Sequence, residues 1–170
     1  MITFLTGRSQ VGKSTIIKKL LKTSSAKIGG FKTKWMPVED GKVLVLLPYS
    51  TPDESYTEKN IAARDCFSEK SRTVYPEVFD VLGPQILKDS SDCDYIIMDE
   101  LGYMESRSLA FQKAVQSILD SGKEILGVLQ PKPFPFLDSV RARDDVSLIT
   151  VDIENREEVF IKLLNDKIIK

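Results

Sequence analysis

Short apolar runs alternate with amphipathic segments along most of the chain. The first run, residues 2–6, ends at Gly7, and residues 13–22 follow with apolar side chains at helical spacing. Further apolar runs predict strands at residues 26–36, 43–47, 95–98, 124–129 and 148–153. Further amphipathic segments predict helices at residues 76–88, 108–120 and from Asn155 onward. Continuous apolar strands that alternate with helices are typical of a mainly parallel sheet covered on both faces, so the predicted fold class is α/β.

Two segments depart from this alternation. Residues 39–42, Glu-Asp-Gly-Lys, have turn chemistry, so the runs on either side of them are predicted to pair as a small antiparallel hairpin. Residues 48–71 are rich in Ser, Thr, Pro and charged side chains and predict a mobile excursion with room for a short helix or strand. It is either a lid over a ligand or a solvated surface loop. No repeat or linker divides the chain, so residues 1–170 are predicted to form a single domain.

Composition and charge exclude several classes of protein. Lys and Arg total 24 against 25 for Asp and Glu, and this net charge of −1 gives no reason to expect a nucleic-acid partner. The sequence has no histidine, which excludes histidine bases, Ser-His pairs and histidine metal ligands. Cys66 and Cys93 lack a metal-binding spacing and are typical of inert thiols in a reduced cytosol.

Cellular location and oligomeric state are predicted from what the sequence lacks. No apolar stretch approaches the length of a membrane span, and residues 1–5 have no basic flank in front of them, unlike a signal peptide. We therefore expect a cytoplasmic protein without a membrane partner. No self-complementary apolar stripe is evident, so a monomer is the default expectation.

The strongest chemical signal is a phosphate-binding loop. Its motif, G-x-x-x-x-G-K-[ST], is matched by Gly7, Arg8, Ser9, Gln10, Val11, Gly12, Lys13 and Ser14. The glycines allow the backbone to turn its N–H groups toward phosphate oxygens, and the N-terminus of the next helix adds a positive dipole. We expect Lys13 to reach the β- and γ-phosphates and Ser14 to bind Mg²⁺, while Thr15 supplies a hydroxyl or N–H at the α-phosphate.

An acidic pair follows a buried strand pattern. Asp99 and Glu100 come directly after the apolar run 95–98, and ligands of open α/β sheets bind beyond the carboxyl ends of the strands. Asp99 is therefore predicted to face the phosphate loop and hold Mg²⁺. Glu100 is expected to point elsewhere and to accept a proton from an attacking water. The alternative is that Glu100 is a structural carboxylate and that the substrate brings its own nucleophile.

Over nearly its whole length the chain resembles a known family. Residues 4–7, the phosphate loop and residues 30–33, 99–105, 135–136 and 154–156 are similar to the small nucleoside-triphosphatases that include the human cancer-related nucleoside-triphosphatase and its bacterial and archaeal relatives. The run Asp-Glu-Leu-Gly-Tyr-Met-Glu at 99–105 is more specific than the phosphate loop. The resemblance implies a three-layer, RecA-like P-loop fold and Mg²⁺-dependent hydrolysis of ATP, GTP, CTP and UTP, with Asp99 and Glu100 as the acidic pair and Lys13 as a catalytic cation.

The resemblance also assigns a nucleotide contact near the C-terminus and exposes two departures. Asn155 and Arg156 are placed near the base or ribose, although helix capping by Asn155, with Glu158 as its capping-box partner, explains the same residues equally well. The family's loop usually reads Arg-Pro-Gly-Val where this chain has Arg8-Ser9-Gln10-Val11, which alters the fit around the γ-phosphate. Tyr103 replaces a frequent lysine and removes a positive charge near the site.

Other candidates follow from residue type alone. Arg8, Arg107, Arg141 and Arg143 are possible sources of a charge-stabilising arginine, with Arg141 and Arg143 preferred. Residues 131–136 predict a stiff loop with two aromatic residues. Either these stack on a base or dock a partner, or Phe136 packs into the core and Phe134 is exposed. Trp35 lies in a strand pattern and is predicted to be structural.

The predicted reaction is hydrolysis of a nucleoside triphosphate to the diphosphate and phosphate. Two other functions use the same motifs. A small-molecule or nucleotide kinase shares the loop and the metal-binding acid, with residues 48–71 as its lid. A non-catalytic nucleotide-binding switch or adaptor would be favoured by the departures at Gln10 and Tyr103.

Overall fold

A computed structural model describes residues 1–169 of the chain. Within this range the strands are β1 (Ile2–Thr6), β2 (Ile28–Val38), β3 (Gly41–Pro48), β4 (Ile61–Cys66), β5 (Ser71–Val74), β6 (Tyr95–Leu101), β7 (Glu124–Leu129) and β8 (Val146–Thr150). The α-helices are α1 (Lys13–Leu21), α2 (Gly83–Asp89), α3 (Leu109–Leu119), α4 (Pro135–Arg141) and α5 (Arg156–Asn165). A π-helical segment, Val78–Leu82, precedes α2, and short 3-10 turns lie at Asp53–Ser55, Glu58–Asn60 and Glu105–Arg107.

The described strands form one sheet in the order β5-β4-β3-β2-β6-β7-β1-β8. The strands from β2 to β8 in this order run parallel, whereas β3, β4 and β5 are antiparallel to their neighbours. The predicted α/β class with a mainly parallel sheet is therefore confirmed. Strand β7 lies between β1, which leads into the phosphate loop, and β6, which carries the acidic pair.

Helices cover both faces of the parallel part of the sheet. Helices α1 and α5 pack on the face that carries Leu5, Ile97 and Leu126. Helices α2 and α3 cover the opposite face, where Phe111 meets Phe31 edge to face with ring centroids 5.1 Å apart. The alternation of side chains along each strand thus explains why the apolar runs are continuous: both faces are buried.

Strand β2 extends beyond the parallel sheet. Its pairing with β6 ends where Lys32 lies opposite Asp99, but its pairing with β3 continues to Val38. The predicted hairpin is confirmed, and it projects past the carboxyl ends of the parallel strands. It is also larger than predicted, because β4 and β5 continue it as a four-stranded antiparallel meander.

Residues 48–71 are more regular than their composition predicts. They contain two 3-10 turns and strand β4, which agrees with the short helix or strand expected within the excursion, and its mobility stays a prediction. The turn at Asp53 is fixed to β2 by an ion pair between Lys32 Nζ and Asp53 Oδ1 at 2.7 Å. Backbone pairing in β4 does not depend on apolar side chains at every position, and for this reason polar residues 64–66 are compatible with a strand.

The predicted capping of the last helix is wrong. Asn155 precedes α5 but makes no side-chain cap. Its Oδ1 instead accepts from the backbone N–H of Asp152 at 2.9 Å, and its Nδ2 donates to the carbonyl of Thr150 at 3.1 Å. The Asn155 side chain therefore stabilises the tight turn between β8 and α5 and does not form a capping box with Glu158.

A short helix, α4, occupies part of the predicted stiff loop 131–136. Pro135 lies in its first turn, where a missing backbone N–H has no cost. Phe136 is buried, as expected, but Phe134 is half-buried and packs edge to face against Tyr103 at 5.2 Å.

Candidate nucleotide-binding site

The phosphate loop connects β1 to α1 in the conformation that its glycines permit. Gly7 and Gly12 have φ angles of 133° and 106°, which other residues rarely adopt. A Cβ atom on Gly7 would lie 2.1 Å from the carbonyl oxygen of Val151, so any side chain there would displace the backbone that follows β8. The loop is thereby held against the end of the neighbouring strand.

Lys13 closes the loop from inside. Its side chain is buried, and Nζ donates to the carbonyls of Gly7 at 3.0 Å and Arg8 at 2.6 Å. Burial lowers the pKa of Lys13, while the Glu100 and Asp99 carboxylates raise it. The ammonium therefore lies between the loop and the acidic pair.

Ser14 and Asp99 meet across the space between α1 and β6. Ser14 Oγ donates to Asp99 Oδ1 at 2.7 Å, and Asp99 is 6% exposed. Burial raises the pKa of Asp99, and this effect is opposed by the bond from Ser14 and by nearby lysines. A hydroxyl and a carboxylate are the kind of hard oxygen ligands that Mg²⁺ accepts when phosphates and water complete its shell, so this pair fits the ion.

Glu100 does not point away from the loop, and this part of the sequence prediction is wrong. Met98 pairs with Gly127 and Leu101 with Leu129, so two residues of β6 lie opposite the single Val128 of β7. This bulge interrupts the alternation of side chains, and both acids come close to Lys13. Burial raises the pKa of Glu100, whereas Gln130 and Lys13 lower it.

Gln130 is a site residue that sequence reasoning missed. It follows β7, and its side chain hydrogen-bonds the Glu100 carboxylate while its Oε1 accepts from the N–H of Tyr103 at 3.1 Å. A Cβ on Gly102 would lie 2.5 Å from Gln130 Cδ, so the glycine leaves room for this side chain. The signal that the sequence offered was its position directly after the apolar run 124–129, at the carboxyl end of a predicted strand.

A cleft of about 440 Å³ joins these groups. One wall is the phosphate loop with the start of α1, and the opposite wall is the projecting hairpin of β2 and β3. Thr33, Trp35 and Leu44 lie on the hairpin wall, and Met104 and Glu105 lie beside them. No residue from 48–71 lines the cleft in the described part of the chain, and the choice between a lid and a surface loop stays a prediction.

The residues near the C-terminus approach the loop from its other side. The Arg156 Cδ atom lies 3.6 Å from the position that a Cβ on Gly12 would take. Arg156 is exposed, and Asn155 is half-buried with its amide bonded to the preceding turn. Contacts of Asn155, Arg156 and Thr15 with a nucleotide stay predictions.

The preference for Arg141 and Arg143 as charge-stabilising arginines is wrong. Arg141 donates to the carbonyls of Gln130 and Lys132 and pairs with Asp138. Arg143 pairs with Asp120 and Asp145, both at 2.7 Å. These partners were invisible in the sequence because they come from separate elements.

The other two arginines have different surroundings. Arg8 is exposed on the phosphate loop, so the structure leaves it as a candidate. The Arg107 guanidinium lies 5.8 Å from the centre of the exposed Tyr103 ring. Arg107 therefore contacts the tyrosine that replaces the family's frequent lysine at position 103.

Gln10, one of the residues at which the loop departs from the family's usual sequence, has an unusual backbone conformation. Its φ is 64°, in the left-handed region that favours glycine. The glycine common at this position in the family removes that strain, of about 1–2 kcal/mol. The loop of this chain therefore adopts its left-handed turn at a conformational cost.

Comparison with known proteins identifies the family of the chain. A protein-family model described as NTPase matches residues 2–164. The chain belongs to this NTPase family. Two relatives, both called nucleoside-triphosphatase THEP1, come from Methanocaldococcus jannaschii and Thermotoga maritima. They are 34% identical over 172 residues and 31% identical over 170 residues. Both alignments cover 97% of this chain, with 96% and 94% of the respective relative.

A solved structure agrees with the fold of this NTPase. The crystal structure of THEP1 from the hyperthermophile Aquifex aeolicus matches with a TM-score of 0.75 and 24% identity, over 97% of this chain and 98% of that one. The family resemblance and the α/β P-loop fold predicted from the sequence are thus confirmed. Separately, none of the helices in residues 1–169 has the length and apolarity needed to cross a membrane.

Proposed function

We propose that this chain hydrolyses nucleoside 5′-triphosphates to the diphosphate and phosphate, with Mg²⁺ as cofactor and with ATP, GTP, CTP and UTP as substrates. The observation that carries the proposal is the meeting of Lys13, the Ser14–Asp99 pair and Glu100 at one phosphate loop. The names of the relatives, nucleoside-triphosphatase THEP1, support the same reaction.

The chain's own groups divide the work between binding and proton transfer. Loop N–H groups and Lys13 bind the phosphates, and Lys13 stabilises charge on the transferred group. Ser14 and Asp99 hold Mg²⁺, which when bound neutralises phosphate charge. Glu100 accepts the proton of the attacking water, and its burial raises the pKa of the carboxyl and makes it a better base. Broad base specificity is expected because these groups act on the triphosphate, which all four substrates share.

The test is phosphate release from each of the four triphosphates, with Mg²⁺ and with the metal removed by EDTA. We expect phosphate release from all four triphosphates. Removing the metal should abolish it, because Ser14 and Asp99 then hold no cation that can neutralise the phosphate charge. Release that is unchanged in EDTA would contradict the magnesium assignment. No release from any nucleotide would overturn the hydrolase proposal in favour of an acceptor-dependent kinase.

Gln130 gives a second prediction. Gln130→Ala removes the amide that orients Glu100, so we expect kcat to fall on the order of 10-fold while KM changes by less than about 2-fold. Gln116→Ala is the matched control, because this glutamine lies on α3 and contacts Arg143 instead. Wild-type kcat in Gln130→Ala would show that Glu100 keeps its orientation without the amide.

We also propose that the chain acts as a cytoplasmic monomer without nucleic acid. The near-neutral net charge and the free thiols of Cys66 and Cys93 support this proposal. Size-exclusion chromatography with light scattering tests the oligomeric state, and a mass of twice 19.1 kDa would contradict it.

A further inference from the structure

Glu105 is a buried carboxyl that the proposed reaction does not use. It ends the acidic run 99–105 and begins a 3-10 turn, and it is 3% exposed. The Thr33 hydroxyl and the backbone N–H groups of Gly102 and Glu105 are its hydrogen-bonding neighbours. Its Oε2 has no partner within residues 1–169.

Thr33 connects this carboxyl to the main chain of Glu100. Thr33 Oγ1 donates to the carbonyl oxygen of Glu100 at 3.3 Å. A hydroxyl has one proton to donate and two lone pairs that accept. With its proton directed at Glu100, Thr33 accepts a hydrogen bond from Glu105 when that carboxyl carries a proton. A Thr33 that donates to an ionised Glu105 would instead lose its bond to the Glu100 carbonyl.

The charges around the cleft favour the same state. The charged side chains that line it beside Glu105 are Glu100 of β6, Lys13 of α1 and Lys34 of β2. Lys13 is bonded to loop carbonyls and Lys34 is paired with Asp53, and Glu105 has no ion pair among the described residues. An ionised carboxylate buried without a cation is costly. Burial raises the pKa of Glu105 to about 7, and the Glu100 charge acts in the same direction, whereas hydrogen bonds from the backbone of Glu105 and Gly102 and from Thr33 lower it.

We propose that Glu105 is a positioning residue for Glu100, and that it acts as an uncharged carboxylic acid that holds the Thr33 hydroxyl against the Glu100 main chain. The inference rests on the proposed role of Glu100 as the base. An uncharged Glu105 also keeps a third negative charge away from the triphosphate.

The first test measures kcat and KM for Glu105→Gln and Glu105→Ala. Glutamine keeps an uncharged donor, so we expect its kcat within about 3-fold of the wild type, whereas alanine lowers kcat by about 10-fold or more with little change in KM. A kcat as low in Glu105→Gln as in Glu105→Ala would overturn the uncharged state. Wild-type kcat in Glu105→Ala would overturn the positioning role.

Variants of Thr33 separate positioning from simple packing. Thr33→Val keeps the volume and removes the hydroxyl, so we expect a loss of kcat comparable to that of Glu105→Ala, and Thr33→Ser should restore most of it. Equal kcat in the valine and serine variants would overturn the connection, even if Glu105→Ala fails to fold. Absence of hydrolysis by the wild type would overturn the proposed function and with it the positioning role. Hydrolysis by the wild type with unchanged kcat in the Glu105 and Thr33 variants would overturn the positioning role alone.

Thermal unfolding at pH 5 and pH 8 tests the proton without any activity. The carboxyl has an ordinary pKa of 4.5 and a folded pKa of about 7, so between these values the folded state binds more protons than the unfolded state. The wild type should therefore lose unfolding temperature relative to Glu105→Gln as pH rises through this window. A constant difference between the two proteins from pH 5 to pH 8 would overturn the uncharged state.

Discussion

Replacing Glu100 by glutamine is expected to lower kcat for triphosphate hydrolysis on the order of 100- to 10,000-fold, the contribution of a positioned general base. Glutamine has the size of glutamate and can still contact Gln130, but it cannot take the proton of water. Because Lys13, Ser14 and Asp99 are unchanged, nucleotide binding should be retained. The loss should therefore appear in kcat rather than in KM.

The measurement is steady-state phosphate release with Mg²⁺ and each triphosphate. Glu58→Gln is the matched control, because Glu58 is exposed, forms an ion pair with Arg64 and does not line the cleft. A Glu100→Gln protein with a kcat near that of the wild type would remove Glu100 as the base. The acid would then be structural, and a nucleophile supplied by the substrate would become the better explanation.

Lys13→Ala is expected to lower kcat/KM on the order of 100- to 1,000-fold, because a preorganised cation is removed from the phosphates and from the charge that develops during transfer. Unlike Glu100→Gln, this change should raise KM and lower kcat together. The Gly7 and Arg8 carbonyls lose their donor, but water can reach the open loop, so the fold should persist.

Hydrolysis rates and the thermal unfolding temperature of Lys13→Ala should be compared with those of Lys19→Ala. Lys19 lies on the same helix but pairs with Glu157, so its loss should leave hydrolysis near the wild-type rate. If Lys13→Ala hydrolyses triphosphates as fast as the wild type, the loop is not the phosphate-binding element.

The sequence predicts those features that depend on local pattern. The parallel strands, α1 and the phosphate loop are determined by neighbouring residues. Strands buried on both faces require continuous apolar runs, and the positive φ angles of the loop favour glycine. The hairpin of β2 and β3 is predicted for the same reason. Strand β4 could not be placed within residues 48–71 because an antiparallel strand is held by backbone pairing to its neighbours and tolerates polar side chains.

The geometry around Glu100 could not be predicted because it depends on register and on distant partners. The bulge between Met98 and Leu101 is visible only when β6 is paired with β7. Gln130 is one glutamine after an apolar run, a pattern with no chemical signature of its own. Arg141 and Arg143 were overvalued because residue type does not reveal that carbonyls and carboxylates already occupy them.

The hairpin wall also gives the molecule an optical reporter. Trp35 is the single tryptophan of the chain, and it is half-buried on the wall of the cleft. The Lys42 ammonium lies 4.6 Å and the Arg72 guanidinium 5.3 Å from the centre of its ring. Two cations, from β3 and β5, therefore lie next to the indole. All tryptophan fluorescence of the protein therefore originates at one wall of the nucleotide cleft, where its emission can follow occupancy separately from turnover.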